Sequence, residues 1–238
     1  SRMVNPINSA NLVYSMDITW FGHSTFLIEG NDRILVDPFI TSNPSTEADP
    51  RSIECDIIAV THTHFDHIED VVDIAKNNDA VVVATFEVAD HFASKGCKID
   101  GMNTGGTITV GNTRITQMPA NHTSTFPDGT PGGVATGYIF ESGATVYHVG
   151  DSCLIRDFKT VGEFWDIDCL MIPVGDRYTM GPRSASIAVG WIKPKRVIPM
   201  HFNSWPPIEV DIDGFKAKVE KEHGIDVEIM DPGQTFTL

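Results

Sequence analysis

The stretch Thr61-His62-Thr63-His64-Phe65-Asp66-His67 places three imidazoles and a carboxylate within six residues. It follows Ile57 to Val60, an apolar run that predicts a buried strand. Alternate side chains of an extended segment share a face, so the first two histidines project to the same side. The final acid and histidine are predicted in the turn that leads into a helix at Ile68. Because imidazole nitrogens and carboxylate oxygens bind metals, this stretch indicates a metal site rather than a solvated polar loop.

More ligands are needed downstream if the site holds two metals. His122, Asp151 and His201 each come shortly after a predicted strand and interrupt its apolar pattern. From the residues alone, each is either a ligand or an ordinary polar loop residue.

Composition limits the classes of protein that fit. At about 150 residues per domain, 238 residues suggest one or two domains. The net charge of −15 disfavours nucleic acid and polybasic membrane contact, and no apolar run approaches the roughly 18 residues of a membrane span. Cys55, Cys97, Cys153 and Cys169 lack Cys-x-x-Cys spacing and are expected as reduced thiols, which favours the cytoplasm.

Strand and helix patterns occur in the same order in both halves of the chain. Several antiparallel-looking strands are followed each time by alternating strands and helices. The predicted strands are 16–20, 25–29, 33–36, 57–60, 80–84, 107–110, 113–118, 137–140, 145–148, 169–172, 196–199 and 227–230, and the predicted helices are 68–76, 86–95, 184–192 and 212–222. This order predicts two packed sheets with helices outside.

The motif His-x-His-x-Asp-His, followed by a later His, Asp and His, resembles the metallo-β-lactamase superfamily. Within it, the chain is similar to small metal-dependent hydrolases that include L-ascorbate-6-phosphate lactonase-like proteins. The local stretches that carry this second resemblance are 18–24, 35–39, 101–103, 179–182 and 197–201. The resemblance implies an α+β fold, a four-layer αββα sandwich of two mixed sheets. Residues 16–238 would form this single domain, and residues 1–15 an N-terminal extension or a cloning remnant.

The same resemblance implies a binuclear metal centre. His62, His64 and His122 would bind the first metal, Asp66, His67 and His201 the second, and Asp151 would bridge them. No cysteine occupies a ligand position, so nitrogen and oxygen ligands suit Zn²⁺ first, and also Mn²⁺, Fe or Ni²⁺.

The expected function is hydrolysis by metal-bound hydroxide of a lactone or other ester of a small anionic metabolite. Asp66 would orient or deprotonate the water, and His23 is either a proton donor, a support for a ligand or a packing residue. Phosphodiester hydrolysis is the first alternative, RNA processing is a weaker one, and a metal-binding or ligand-sensing module is an alternative from another class. The expected partner is a small-molecule substrate, with homo-oligomerisation left open.

Loops beside the metal face supply the remaining candidates. Arg177, Tyr178, Thr179 and Asn203 are candidate substrate contacts, because a strand-to-helix connection and an arginine can hold an anion. Asp37 either orients a ligand histidine or caps a turn. Phe126 and the loop 123–133, and Trp205 together with Pro206 and Pro207, either wall the pocket or simply pack.

Overall fold

Two mixed β-sheets of seven strands each form the centre of the structure, a computed structural model that describes residues 15–238. The strands of the first sheet are β1 (Asp17–Trp20), β2 (Phe26–Glu29), β3 (Arg33–Val36), β4 (Ile57–Ala59), β5 (Val81–Thr85), β6 (Lys98–Met102) and β14 (Thr235–Thr237). The strands of the second sheet are β7 (Thr107–Val110), β8 (Thr113–Pro119), β9 (Thr136–Glu141), β10 (Thr145–His148), β11 (Cys169–Pro173), β12 (Arg196–Met200) and β13 (Asp226–Val227).

Both sheets change from antiparallel to parallel pairing along the chain. The first has the order β14-β1-β2-β3-β4-β5-β6, with β14 to β3 antiparallel and β3 to β6 parallel. The second has the order β13-β12-β11-β10-β9-β8-β7, with β7 to β10 antiparallel and β10 to β13 parallel. Parallel neighbours need crossover connections, which the helices supply.

The helices are α1 (Phe65–Ile68), α2 (Val71–Asn78), α3 (Phe86–Ser94), α4 (Asp157–Phe164), α5 (Pro182–Ile192) and α6 (Ile212–His223). Strand β4 shows why they cover the sheets. Ile57 and Ala59 join the core shared by the two sheets, whereas Ile58 joins a second core with Val71 of α2 and Val88 of α3. A strand buried on both faces needs a helix layer behind it. The predicted αββα sandwich is therefore confirmed.

Several predicted element boundaries were wrong. The turn expected at Asp66 and His67 is the short helix α1, and α2 begins at Val71 rather than at Ile68. The strand predicted at 227–230 is β13, which is shorter and covers Asp226–Val227. The predicted extension 1–15 lies, apart from Ser15, outside the described residues.

Three elements were missed because their sequences lack a clear apolar period. Edge strands β6 and β14 are largely exposed and polar. Helix α4 contains Gly162, a poor helix former. A Cβ at Gly162 would lie 2.2 Å from the Trp191 carbonyl oxygen, so only glycine allows α4 to approach α5 this closely.

Within residues 15–238, no helix combines the length and apolar character needed to cross a membrane.

Candidate metal centre

The candidate ligands meet at one edge because the strands before them run in the same direction. In the first sheet, His23 follows β1, Asp37 follows β3 and His62 follows β4, and these three strands are mutually parallel in direction. In the second sheet, β8, β10 and β12 also share a direction and precede His122, Asp151 and His201 respectively. The backbone N–H of His201 donates to the carbonyl of His23 at 2.9 Å, joining the two sets of loops.

Asp151 lies at the centre of this edge. Its Oδ2 is 3.1 Å from His201 Nε2, 3.3 Å from His67 Nε2, 3.5 Å from His122 Nε2 and 3.8 Å from His62 Nε2. One carboxylate oxygen thus faces four imidazole nitrogens contributed by both halves of the chain.

Two ligand groups flank Asp151. The first ligand group comprises His62, His64 and His122, with one donor atom from each within 4.8 Å of the others. The second ligand group comprises Asp66, His67 and His201, which meet the same criterion together with His23. The structure therefore brings together all seven predicted ligand residues.

The chemistry of these donors fits divalent cations. Nitrogen and oxygen atoms converge without sulfur, as in hard or borderline metal sites. Among the described residues, His67 Nε2 and Asp151 Oδ1 are two buried atoms of this site that have no hydrogen-bond partner. Buried polar atoms are normally partnered, so these two are suited to a bound ion.

Burial and neighbouring charges set the protonation of the donors. In the first ligand group, burial is the largest influence and lowers the pKa of each histidine, which leaves the imidazoles neutral at neutral pH. Burial would also lower the pKa of His67, but Asp151 and Asp66 beside it raise that pKa well above its ordinary value. Burial opposes ionisation of Asp151, yet His201 and His67 hold the pKa of its carboxyl well below the usual range.

His23 holds the Asp66 carboxylate in position through a hydrogen bond. Its Nε2 lies 2.9 Å from Asp66 Oδ2, and its Nδ1 lies 3.0 Å from Ser204 Oγ. Burial, with the charge of His201, lowers the pKa of His23 to about 4, so the ring is neutral. Because both ring nitrogens have partners, His23 has the contacts of a positioning residue rather than those of a ligand.

Asp37 holds His67 in the same way. Its Oδ2 is 2.7 Å from His67 Nδ1 and accepts from Thr61 Oγ1 at 2.6 Å, while its Oδ1 accepts from the Thr61 backbone N–H at 2.8 Å. A carboxylate at Nδ1 keeps a hydrogen there, so that Nε2, which faces Asp151, is the nitrogen that gives up its proton when a metal binds. These are the contacts of the ligand-orienting role, one of the two alternatives considered for Asp37.

Backbone strain is concentrated at this edge. His23, Asp37 and His201 have φ of 54°, 47° and 54°, in the left-handed region that few non-glycine residues adopt. Such strain persists where surrounding contacts enforce it, and it clusters at functional sites. Aspartate and histidine adopt this region more often than most non-glycine residues, but residue type alone does not single out these three positions.

A cleft of about 710 Å³ opens over the ligand groups. Its wall contains the aromatic residues Phe65, Tyr178 and Trp205, the aliphatic residues Pro127, Pro207 and Ile208, and the threonines Thr123 and Thr125. Trp205 with Pro207, Tyr178 and the 123–133 loop were candidates from the sequence, whereas Phe65 and Ile208 were missed. The one sequence feature that could have indicated Phe65 as a cleft residue is its position inside the ligand motif.

The other predicted substrate residues lie outside the cleft lining. The Arg177 guanidinium stacks over the Tyr178 ring at 5.5 Å, and the Thr179 hydroxyl donates to the Met180 carbonyl. Asn203 Oδ1 accepts from the Val210 N–H at 2.9 Å and thereby supports its own loop.

Two aromatic candidates differ in their surroundings. Trp205 contributes to the cleft wall. Phe126 is instead buried and stacks on His91, with ring centroids 4.1 Å apart.

Comparison with known proteins agrees with this geometry. Residues 17–201 match the family described as the beta-lactamase superfamily domain. A UPF0173 metal-dependent hydrolase of Pelotomaculum thermopropionicum is 40% identical over 228 residues, covering 94% of this chain and 100% of that protein. A UPF0173 metal-dependent hydrolase of an Exiguobacterium species is 46% identical over 206 residues, covering 84% and 92% of the two chains.

Solved structures show the same architecture. Igni18, a metallo hydrolase from Ignicoccus hospitalis, superposes with a TM-score of 0.87 at 34% identity, covering 94% of this chain and 98% of its own. The metallo-beta-lactamase fold protein YhfI of Bacillus subtilis has a TM-score of 0.72 at 16% identity and covers 94% and 100% of the two chains, a likeness of fold alone.

Proposed function

The chain belongs to the metallo-β-lactamase superfamily as a metal-dependent hydrolase, and we propose that it uses two divalent metal ions to hydrolyse a lactone or other ester bond. The observation that carries the proposal is the position of Asp151 Oδ2 among four imidazole nitrogens, between two groups of three ligands. A shared carboxylate in that position suits a pair of ions.

In this proposal the first ligand group holds one metal, the second ligand group holds the other, and Asp151 is common to both. Zn²⁺ is the first candidate, followed by Mn²⁺, Fe and Ni²⁺, because imidazole and carboxylate ligands suit all four. Two such ions, when bound, polarise a substrate oxygen and lower the pKa of water toward about 7.

The chain's own residues orient the reactants. Asp66 lines the cleft and holds a carboxylate oxygen toward the substrate side, where it can accept a proton from attacking water. Burial opposes its ionisation, but His67 and His23 keep the pKa of this carboxyl below its ordinary value. Asp66 is therefore charged at neutral pH, and we assign His23 the role of fixing its orientation.

His23 is fully buried and does not line the cleft, so a proton donor to the leaving group has to come from elsewhere.

Overall, the water oxygen bonds to the acyl carbon and the acyl C–O bond breaks. The products are a carboxylate, an alcohol and one proton.

The lactone assignment is supported by the lactonase-like stretches in the sequence and by the neutral cleft wall. A phosphodiester keeps a negative charge on its phosphate, and apart from the metal ligands the cleft lining offers no charged side chain to hold it.

The test is turnover by protein purified without chelator and reconstituted separately with Zn²⁺, Mn²⁺, Fe²⁺ and Ni²⁺. Neutral lactones, 4-nitrophenyl acetate and bis(4-nitrophenyl) phosphate serve as substrates. We expect metal-dependent lactone or ester hydrolysis that falls about 100-fold or more in Asp151→Asn, since removing groups that act in the transition state lowers kcat.

Asp70→Asn is the matched control. Asp70 is also a buried carboxylate that accepts backbone N–H groups, but it lies outside both ligand groups. Phosphodiester turnover alone would replace the ester assignment. Metal binding without turnover of any of these compounds would favour a binding or sensing module.

A further inference from the structure

The wall of the cleft has a distinct composition once the metal ligands are set aside. Three aromatic and three aliphatic residues line it, and its other polar side-chain groups are the hydroxyls of Thr123, Thr125 and Tyr178 and the indole N–H of Trp205. Among the lining residues, which all belong to the described part of the chain, there is neither lysine nor arginine. The cleft therefore offers apolar surface and neutral hydrogen-bonding groups, with charge confined to its floor.

The aromatic part of the wall is exposed yet firmly supported. Phe65 and Tyr178 retain 52% and 54% of their exposure. Phe65 packs edge-on against Phe39 with ring centroids 5.7 Å apart, and Trp205 packs against His23 at 4.7 Å. Aromatic surface held rigidly beside a reaction centre favours an apolar group of the substrate, because covering it removes apolar area from water.

A charged group on the substrate would find no partner along this wall. A carboxylate or phosphate away from the metals would lose hydration without gaining an ion pair, which is unfavourable. The nearest named cation, Arg177, is exposed at the rim, and its guanidinium lies over the outer ring of Tyr178 rather than in the lining.

We propose that this cleft selects esters or lactones whose substituent beside the scissile bond is uncharged and apolar, an aromatic ring or alkyl chain. This proposal rests on the hydrolase function above and replaces the small anionic metabolite expected from the sequence. Phe65, Tyr178 and Trp205 form the surface that contacts the substituent, and they act as specificity residues.

Matched lactones test the proposal on metal-loaded protein. γ-Phenyl-γ-butyrolactone carries an aromatic ring, γ-valerolactone a methyl group and γ-carboxy-γ-butyrolactone a carboxylate on the same ring carbon. We expect kcat/KM for the phenyl lactone to exceed that for the carboxylate lactone by about 10–200-fold, the range that apolar pockets achieve. A carboxylate lactone hydrolysed as well as the phenyl lactone would overturn the proposal and leave the hydrolase function intact.

A binding experiment separates cleft chemistry from turnover. Benzohydroxamate and succinyl monohydroxamate share a metal-binding head group and differ in carrying a phenyl ring or a carboxylate. Calorimetry should show at least tenfold tighter binding of benzohydroxamate. Preferential binding of benzohydroxamate without turnover of any lactone would refute the hydrolase function while supporting the apolar cleft, whereas tighter binding of succinyl monohydroxamate would refute the apolar cleft.

A charge placed in the wall provides the converse test. Thr125 is exposed and lines the cleft, so Thr125→Lys should shift the ratio of kcat/KM toward the carboxylate lactone by about tenfold. Thr130→Lys makes the same change on the same loop outside the lining and should leave the ratio unchanged. Equal shifts in the two variants would mean that overall charge, and not the cleft wall, sets the preference.

Discussion

Asp37→Asn is expected to weaken metal binding although Asp37 belongs to neither ligand group. Asp37 Oδ1 accepts from the Thr61 backbone N–H, a donor that cannot change role. The new amide nitrogen must therefore occupy the place of Oδ2, beside Thr61 Oγ1 and His67 Nδ1. There it donates to His67 Nδ1, and the proton of the neutral ring moves to Nε2, the nitrogen that faces Asp151.

The expected magnitude follows from this loss of tautomer control. Removing a group that orients a ligand costs about 10–100-fold in metal affinity, or about 1.4–2.8 kcal/mol. In the metal-free protein, Asp37→Asn also removes hydrogen bonds that Thr61 and His67 make to the buried Asp37 carboxylate. We expect a loss of about 2 kcal/mol in the free energy of unfolding, which lowers Tm by about 4–8 °C in a chain of this size.

Competition against a chelating dye measures the affinity, and thermal unfolding followed by circular dichroism measures the stability. Asp70→Asn is the control, because Asp70 accepts from the Ile40 and Thr41 backbone N–H groups in a similarly buried position. It should lose stability but keep metal affinity. If Asp37→Asn binds metal within twofold of the unmodified protein, then Asp37 does not orient His67 and the argument fails.

Three further outcomes are expected. Asp66→Ala should reduce the metal content from about two ions per chain to about one, measured by elemental analysis, because the first ligand group and Asp151 remain; retention of two tightly bound ions would contradict the assignment of Asp66. Exposed Cys153 should react readily with a thiol reagent at pH 8, whereas Cys55 and Cys169 should not, because burial raises the pKa of both thiols to about 12 and leaves only about one in 10⁴ as thiolate. The thiolate forms of Cys55 and Cys169 are favoured only in the unfolded chain, so labelling of these two cysteines should accompany unfolding as the pH rises above about 9. Fast labelling of the folded protein would contradict their burial in the core. A DNA duplex should bind weakly at physiological salt, because the net charge of −15 opposes association; tight binding with a steep salt dependence would revive a nucleic-acid role.

Part of the candidate ligand set was predictable because several metal-binding residue types lie close together in the sequence. Three of its members lie in one motif with Asp66. His122, Asp151 and His201 each follow a strand end, but the resemblance to the superfamily was needed to single them out as ligands. The double-sheet architecture was predictable for a related reason, since continuously apolar strands such as β4 are buried on both faces and require layers on both sides.

The remainder of the site depends on contacts that leave no sequence pattern. The cleft wall draws Phe65, Tyr178 and Ile208 from three separate segments, and their convergence is a property of the folded loops. Histidine tolerates left-handed backbone better than most residues, but that preference is too weak to have identified His23 and His201 among the nine histidines. Edge strands β6 and β14 escaped prediction because half-exposed strands need little apolar sequence.

Because the candidate ligands around Asp151 come from loops of both sheets, full metal affinity requires the complete fold. His62 and His201 are separated by more than half of the chain and belong to loops of different sheets. A partly synthesised chain displays the histidine motif without the second sheet, and it can hold an ion only through an incomplete set of donors. The full affinity arises when both sheets have docked, so ions bind the native state preferentially and stabilise it by about 4 kcal/mol at a thousandfold excess over Kd. Metal binding would thus distinguish completely folded molecules from partly folded ones.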